Sequence, residues 1–427
     1  MNNLALDHDP EFEPASDHEI AAMQELRPVP RISIQAFCET DSIAKPMERA
    51  MADRRLARAH MRVERGGVVS AVEYYHSNPT PNLIIVETSA EPQAIMADLS
   101  GLAEVCDPTT KVVVVGHYND VQLYRDLIRA GISEYMVAPV SLADVIAVIS
   151  GIFVTPDAAP IGKSIAVLGA KGGVGSSTIA HNLAWTISNL FKNEVVIADM
   201  DLPFGTANIN FDQDPAQGMA EAVFSPERID EVYLDRLLAQ CSERLSLLAA
   251  PSTLDRTYDF DADAFTQIIE IAQRSAPTVV LDMPHGWNGW MRTTLSRADE
   301  IVIVATPELA NLRNTKNMID MVRKLRPNDF SPRLILNQVG IPKRPEISAS
   351  DFCDPLGIEP VAVIPFDPQL FGSAANNGRM LSESDANHAV VKMINEIAHV
   401  VTGRTEVKTK KKAGLQSIIA KLRSKKA

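Results

Sequence analysis

The run Gly169-Ala170-Lys171-Gly172-Gly173-Val174-Gly175-Ser176-Ser177-Thr178 closes the apolar stretch SIAVLGA (164–170) and opens the helix-forming segment IAHNLAWTISNL. Glycines let a backbone approach a phosphate chain closely, and the N–H groups that open a helix face it with the positive end of the helix dipole. A strand, a glycine loop and a helix in that order is the setting of a phosphate-binding loop. Further along, EVVIADMD (194–201) ends in Asp199 and Asp201, and PTVVLDM (277–283) carries Asp282. Acidic side chains at the carboxyl ends of parallel strands face the ligand crevice of an open sheet.

The elements that must hold these residues can be read on both sides of the loop. Ahead of it, β-branched runs at 31–38, 59–65, 82–88, 111–116 and 133–138 alternate with helix-period segments, the last of them over 141–152. Five strands alternating with five helices predict a parallel sheet covered on both faces, flavodoxin-like in outline. A second series has strands at 164–170, 194–201, 244–250, 277–283, 299–306, 332–338 and 360–365, and closes with a helix over about 383–402. The expected fold class is therefore α/β, with two doubly wound parallel-sheet domains. The expected divisions are a disordered acidic segment 1–30, a flavodoxin-like domain 31–153, a linker 154–162 with two prolines, a phosphate-loop (P-loop) domain 163–403 and a basic tail 404–427.

Composition narrows the function classes. The chain has 427 residues, and its 41 basic against 54 acidic side chains give a net charge of −13, which disfavours nucleic acid as the main partner. The charge is uneven. Residues 1–30 hold seven carboxylates against Arg27, whereas residues 404–427 hold nine Lys or Arg against Glu406. In that tail Leu415, Ile418, Ile419 and Leu422 fall at i, i+3, i+4 and i+7 among lysines, the pattern of a basic amphipathic helix suited to an anionic membrane surface. Four scattered cysteines without a C-x-x-C pair fit a reducing compartment, and an acidic start with no apolar run of about 18 residues predicts a cytoplasmic protein.

The loop resembles that of the ParA/MinD class of deviant Walker-A ATPases, which reads K-G-G-x-G-K-[ST]. The resemblance implies ATP and Mg2+ as ligands, with Gly172, Gly173, Val174, Gly175, Ser176, Ser177 and Thr178 around the phosphates. It makes Lys171 the signature lysine, which in the class crosses a nucleotide-sandwich dimer to the partner's phosphates. It also places Ser177 and Asp199 near magnesium, Asp201 near the attacking water, Asp282 at the Walker-B position, and Asn337 and Pro365 beside the base. The chain departs from the class at Ser176, where a second lysine would contact the β- and γ-phosphates. Losing such a charge-assisted contact weakens nucleotide binding by roughly 1.5–3 kcal/mol.

Within the class, GGVGSST, DMDLPFGTANINFDQDP (199–215), LDMPHGWNGW (281–290) and ATPELANLRNTKNMI (305–319) are similar to the CpaE/TadZ-like group of the Tad, or Flp, type IV pilus assembly system. So is the order of a receiver-like domain followed by an ATPase domain. The group implies a homodimer that works with pilus assembly proteins as a peripheral protein of the inner membrane. Two activities are then open: a slow ATPase using Lys171 and Asp201, or a scaffold that holds ATP and hydrolyses little. A chromosome- or plasmid-partition or cell-division ATPase is the more distant alternative.

The front domain has the receiver outline without the receiver's chemistry. A phosphoreceiver ends its third strand in aspartate and carries a Ser/Thr after the fourth and a lysine before proline after the fifth. Here those places hold Glu87, Gly116-His117 and Ala138-Pro139, with Glu39 and Asp41 after the first strand. The expectation is a fold kept for docking or dimerisation, or a locked mimic in which Glu87 stands for a phosphorylated state.

Overall fold

The computed structural model describes residues 16–24, 26–154 and 161–404. Its front domain is a five-stranded parallel sheet of β1 (Ser33–Cys38), β2 (His60–Arg65), β3 (Leu83–Thr88), β4 (Lys111–Gly116) and β5 (Glu134–Val137), in the order β2-β1-β3-β4-β5. Buried runs such as LIIVET, covered on both faces, form the central strands because apolar β-branched residues suit a sheet with no solvent face. The expected flavodoxin-like order is met.

The second domain is built on eight strands. They are β6 (Lys163–Gly169), β7 (Val195–Asp199), β8 (Ala239–Ser242), β9 (Leu245–Leu248), β10 (Thr278–Asp282), β11 (Glu300–Ala305), β12 (Arg333–Val339) and β13 (Pro360–Pro365). Their order is β13-β12-β11-β6-β10-β7-β9-β8. All pairings are parallel except β8 with β9, a short antiparallel edge that the strand pattern does not reveal. One core packs on each face of this sheet. The helix expected over 383–402 is two pieces, Leu381–Ser384 and Ala389–Thr402, because Asp385–His388 turn the chain and His388 caps the second piece through Val390 N–H at 3.2 Å.

The acidic start needs a correction. Part of the segment expected to be disordered, Asp17–Met23, is a helix, capped by Ser16 and Glu19 in a reciprocal box. Ile20, Met23 and Val29 are buried in the front core, so docking supplies the stabilisation that a seven-residue helix lacks alone. Residues 1–15, the linker residues 155–160 and the tail 405–427 lie outside the described residues.

The two domains meet through a buried charge cluster. Arg54, in the turn that leads to β2, lies 2.7 Å from Asp299 and 3.0 Å from Asp329. Arg55, fully buried, bridges Asp53 and Asp329 at 3.1 Å each, Arg326 joins Asp329 at 3.4 Å, and Asn328 donates to Asp53 at 3.2 Å. Asp299 also accepts from the N–H of Ser164 at 2.8 Å, which ties the cluster to the amino ends of β6 and β11. Phe330 of the second domain packs against the front core. Burying each of these charges alone would cost several kcal/mol; the multiple partners of Arg54, Arg55 and Asp329 are what make the arrangement tolerable.

Candidate functional site

The phosphate loop follows β6 and turns into the helix Ser176–Phe191. Gly173 and Gly175 have φ of 81° and 86°, a region that costs a side-chain-bearing residue strain, and a Cβ on Gly175 would stand 2.7 Å from the amide nitrogen of Asn337. Gly175 gives the helix no side-chain cap, so the leading N–H groups of Ser176, Ser177 and Thr178 are left for a ligand.

Two amides brace the loop from β12. Asn337 donates to the carbonyl of Val174 at 2.8 Å, and Gln338, at φ 54°, donates to that of Gly173 at 3.0 Å. Asn337, expected beside the base, thus holds the phosphate loop in this structure. His285 Nδ1 lies 3.2 Å from the carbonyl of Gly169 and secures the other end. Pro365 ends β13, three strands from β6, and Phe366 N–H returns to Val339 at 2.8 Å.

The carboxylates gather at the carboxyl ends of neighbouring strands. Asp199 and Asp282 are register partners on β7 and β10, and both are buried. Asp199 accepts the N–H groups of Asp201 and Ala207 at 3.1 Å each. Burial, and then the charge of Asp282, push its carboxyl up to about 7. Asp201, half-buried, accepts from Phe204 N–H at 3.2 Å, and burial raises it above the ordinary carboxylate range. One oxygen of Asp282 lies 3.0 Å from His181 Nε2, while the other, Oδ1, is buried with no partner. An unpaired buried carboxylate oxygen is costly in isolation and is the kind of donor a divalent cation or its water would satisfy.

This donor set fits magnesium. Among the described residues no group of three or more His, Cys, Asp or Glu is arranged to hold a metal by itself. Magnesium characteristically takes one or two carboxylates and completes its shell with water and substrate phosphates, which matches Asp282, Asp199 and the Ser177 hydroxyl beside the loop.

Lys171 stands apart from this group. It is half-exposed, and its Nζ lies 3.4 Å from Glu308, which also faces Arg344 at 3.5 Å. In the single chain the lysine is paired within its own molecule. The motif reading missed His181, Gln338 and Glu308. For His181 a signal was present, a titratable residue within two turns of the loop on a helix whose neighbours are apolar.

Residues 162–334 match the family model described as an AAA domain. The septum site-determining protein MinD of Synechocystis is 26% identical over 228 residues, covering 51% of this chain and 81% of that protein. MinD of Bacillus subtilis is 24% identical over 259 residues, covering 57% and 91%. Over that segment the chain is similar to ParA/MinD-like ATPases. Among solved structures, a ParA family ATPase from Chlorobium tepidum has a TM-score of 0.51 at 23% identity, covering 55% of this chain and 98% of that one, a likeness of fold. The pilus assembly protein CpaE from Caulobacter crescentus is 46% identical, covering 30% of this chain and 97% of that one, with a TM-score of 0.29. The matched segment holds the glycine loop and the paired strand-end carboxylates described above, with serine at position 176.

Among the described residues no helix is long and apolar enough to cross a membrane.

Proposed function

We propose that the protein is a nucleotide switch that binds ATP with Mg2+, dimerises in that state and serves the assembly of a Tad/Flp-type pilus at the cytoplasmic face of the inner membrane, with slow or absent hydrolysis. The observation that carries this reading is the crevice itself: an uncapped helix N-terminus behind a glycine loop, facing a buried carboxylate with one oxygen unpaired. The backbone N–H groups of 172–178 would hold the phosphates, Ser177, Asp199 and Asp282 the metal, and Asp201 a water. The cation would supply the positive charge that Ser176 cannot.

Dimerisation is supported by the rim of the crevice. Phe204, whose N–H binds Asp201, and Leu309, next to the lysine's partner Glu308, are 68% and 73% exposed, and Lys171 is free to exchange Glu308 for another anion at little cost, since a half-exposed pair is worth about 0–1 kcal/mol. The pilus assignment rests on the sequence runs 199–215, 281–290 and 305–319, on the two-domain order, and on the likeness to the pilus assembly protein CpaE. Peripheral attachment would fall to the basic tail, where two copies in a dimer would add their modest affinities.

Light scattering with ATP, ADP and no nucleotide, run beside single-turnover hydrolysis, tests the reading. A dimer formed with ATP supports the switch, and turnover abolished by Asp201→Ala makes it an enzyme. Dimerisation without phosphate release selects the second reading, a scaffold that keeps ATP as a structural ligand, which Ser176 favours. A monomer that binds no nucleotide overturns both. Liposome flotation with and without residues 404–427 tests attachment, and equal flotation sinks it.

A further inference from the structure

The helix behind the phosphate loop buries a histidine that the motif does not call for. His181 is 1% exposed and follows Ser176 by about one and a half turns. Its Nε2 lies 3.0 Å from Asp282 Oδ2, its Nδ1 2.9 Å from the Asn210 amide nitrogen, and its ring 5.4 Å from that of Phe211. The amide nitrogen of Asn210, assigned as the atom beside Nδ1, can only donate, so Nδ1 accepts and the Nε2 proton points at Asp282. That bond occupies one oxygen of Asp282 and leaves Oδ1 as the buried orphan.

The other side of the imidazole reaches the segment after Asp201. Asn210 ends the short helix Ala207–Asn210, whose first N–H group binds Asp199. One side chain therefore links the loop helix, the strand-end carboxylate of β10 and the chain that clamps the carboxylate of β7.

Resting on the reading of the crevice as a magnesium–nucleotide site, we propose that His181 is the positioning residue for the metal-holding carboxylate. It fixes which Asp282 oxygen stays open and locks the 199–211 segment to it. With serine at 176 and Lys171 paired to Glu308, the loop offers the phosphates no free lysine within the chain, so their affinity depends on a divalent cation held at Asp282, and that dependence runs through His181. Hydrogen-bond partners of metal ligands typically matter by about 10–100-fold in metal affinity.

The test uses the full chain and two direct binding readouts: Mn2+ affinity by electron paramagnetic resonance in the presence of ATP, and titration of a fluorescent ATP analogue in Mg2+ or in EDTA. His181→Ala is expected to weaken Mn2+ by at least about 10-fold and to leave analogue binding in EDTA unchanged. His181→Gln, which can still donate to Asp282, is expected to recover most of the loss. Asn210→Ala, which leaves the Asp282 bond intact, should fall between them and keeps the test open if His181→Ala fails to fold. Unchanged metal affinity in folded His181→Ala, or no rescue by glutamine, overturns the inference while leaving the crevice reading standing. A wild-type chain that binds neither Mn2+ with ATP nor the analogue overturns both.

Discussion

Two pockets in this molecule sit at the same topological place, the carboxyl end of a parallel sheet, and they differ in how their buried carboxylates are satisfied. In the front domain Glu87, the last residue but one of β3, has both oxygens engaged: Oε2 accepts Thr40 N–H at 2.9 Å, and Oε1 accepts the Thr40 hydroxyl at 2.7 Å and faces His117 Nε2 at 3.1 Å. In the ATPase domain Asp282 keeps one oxygen without a partner, and Asp199 beside it is held up to about 7. The first pocket has closed over its own side chain. The second retains an electrostatic demand that the protein does not meet. Fold alone does not distinguish a binding site from its remnant; the account of hydrogen-bond partners does.

Removing each carboxylate should break the comparison most visibly. Asp282→Ala is expected to weaken magnesium–nucleotide binding on the order of 100-fold, whereas Glu87→Ala, in another domain, should change it by less than about twofold. Calorimetric titration of both variants checks this, and equal losses would mean that the two pockets are coupled.

Stability should invert the order. Glu87→Ala strands the amide and hydroxyl of Thr40 and is expected to cost about 2–3 kcal/mol in urea unfolding of the front domain. Asp282→Ala removes a buried charge with one unpaired oxygen while stranding the His181 Nε2 proton, two effects of opposite sign, and should cost less than Glu87→Ala in urea unfolding of the nucleotide-free protein.

The cluster between the domains responds to acid. Burial alone would raise Asp329, but Arg54, Arg326 and Arg55 outweigh it and hold its carboxyl down at about 2, against 3.8 for an ordinary aspartate. A depressed acid stabilises the fold above its unfolded value, so about 2 kcal/mol of folding stability, part of it from the interdomain partners Arg54 and Arg55, is present above pH 4 and lost as pH falls from 4 to 2. Small-angle scattering across that range should show the domains separating, and Asp329→Asn should show the looser state already at neutral pH. The smallest effect belongs to Lys171. Glu308→Gln should alter stability by less than about 0.5 kcal/mol, because the pair is half-exposed; a larger loss in thermal unfolding would mean that the lysine is locked in its own chain.

Much of the fold was legible because parallel strands buried on both faces read as apolar runs: LIIVET, KVVVVG, EIVIVA and TVVLD each became a strand where the pattern put one. The four-residue strand AQCS was not legible, being half-buried and without periodicity, nor was the helix Asp17–Met23, whose stability comes from docking rather than local preference. In the site the phosphate loop was readable because it is one continuous segment, and the strand-end aspartates because each closes an apolar run. His181 with Asp282, Asn337 with Val174 and Arg54 with Asp299 were not, because partners about a hundred residues or more apart meet only once the sheets are assembled.

The charge cluster joins the amino ends of strands: the turn entering β2 on one side, the starts of β6 and β11 on the other. The crevice lies at the far end of β6, roughly 20 Å away at about 3.3 Å per residue. A second copy arriving at the crevice would therefore meet no part of the docked front domain near the phosphate loop. News of its arrival would reach that domain lengthwise, through the central strands and through the helix Leu309–Leu325, which runs from Glu308 beside Lys171 to Arg326 in the cluster, so that sheet and helix act as a stiff rod between a gripping end and a displaying end.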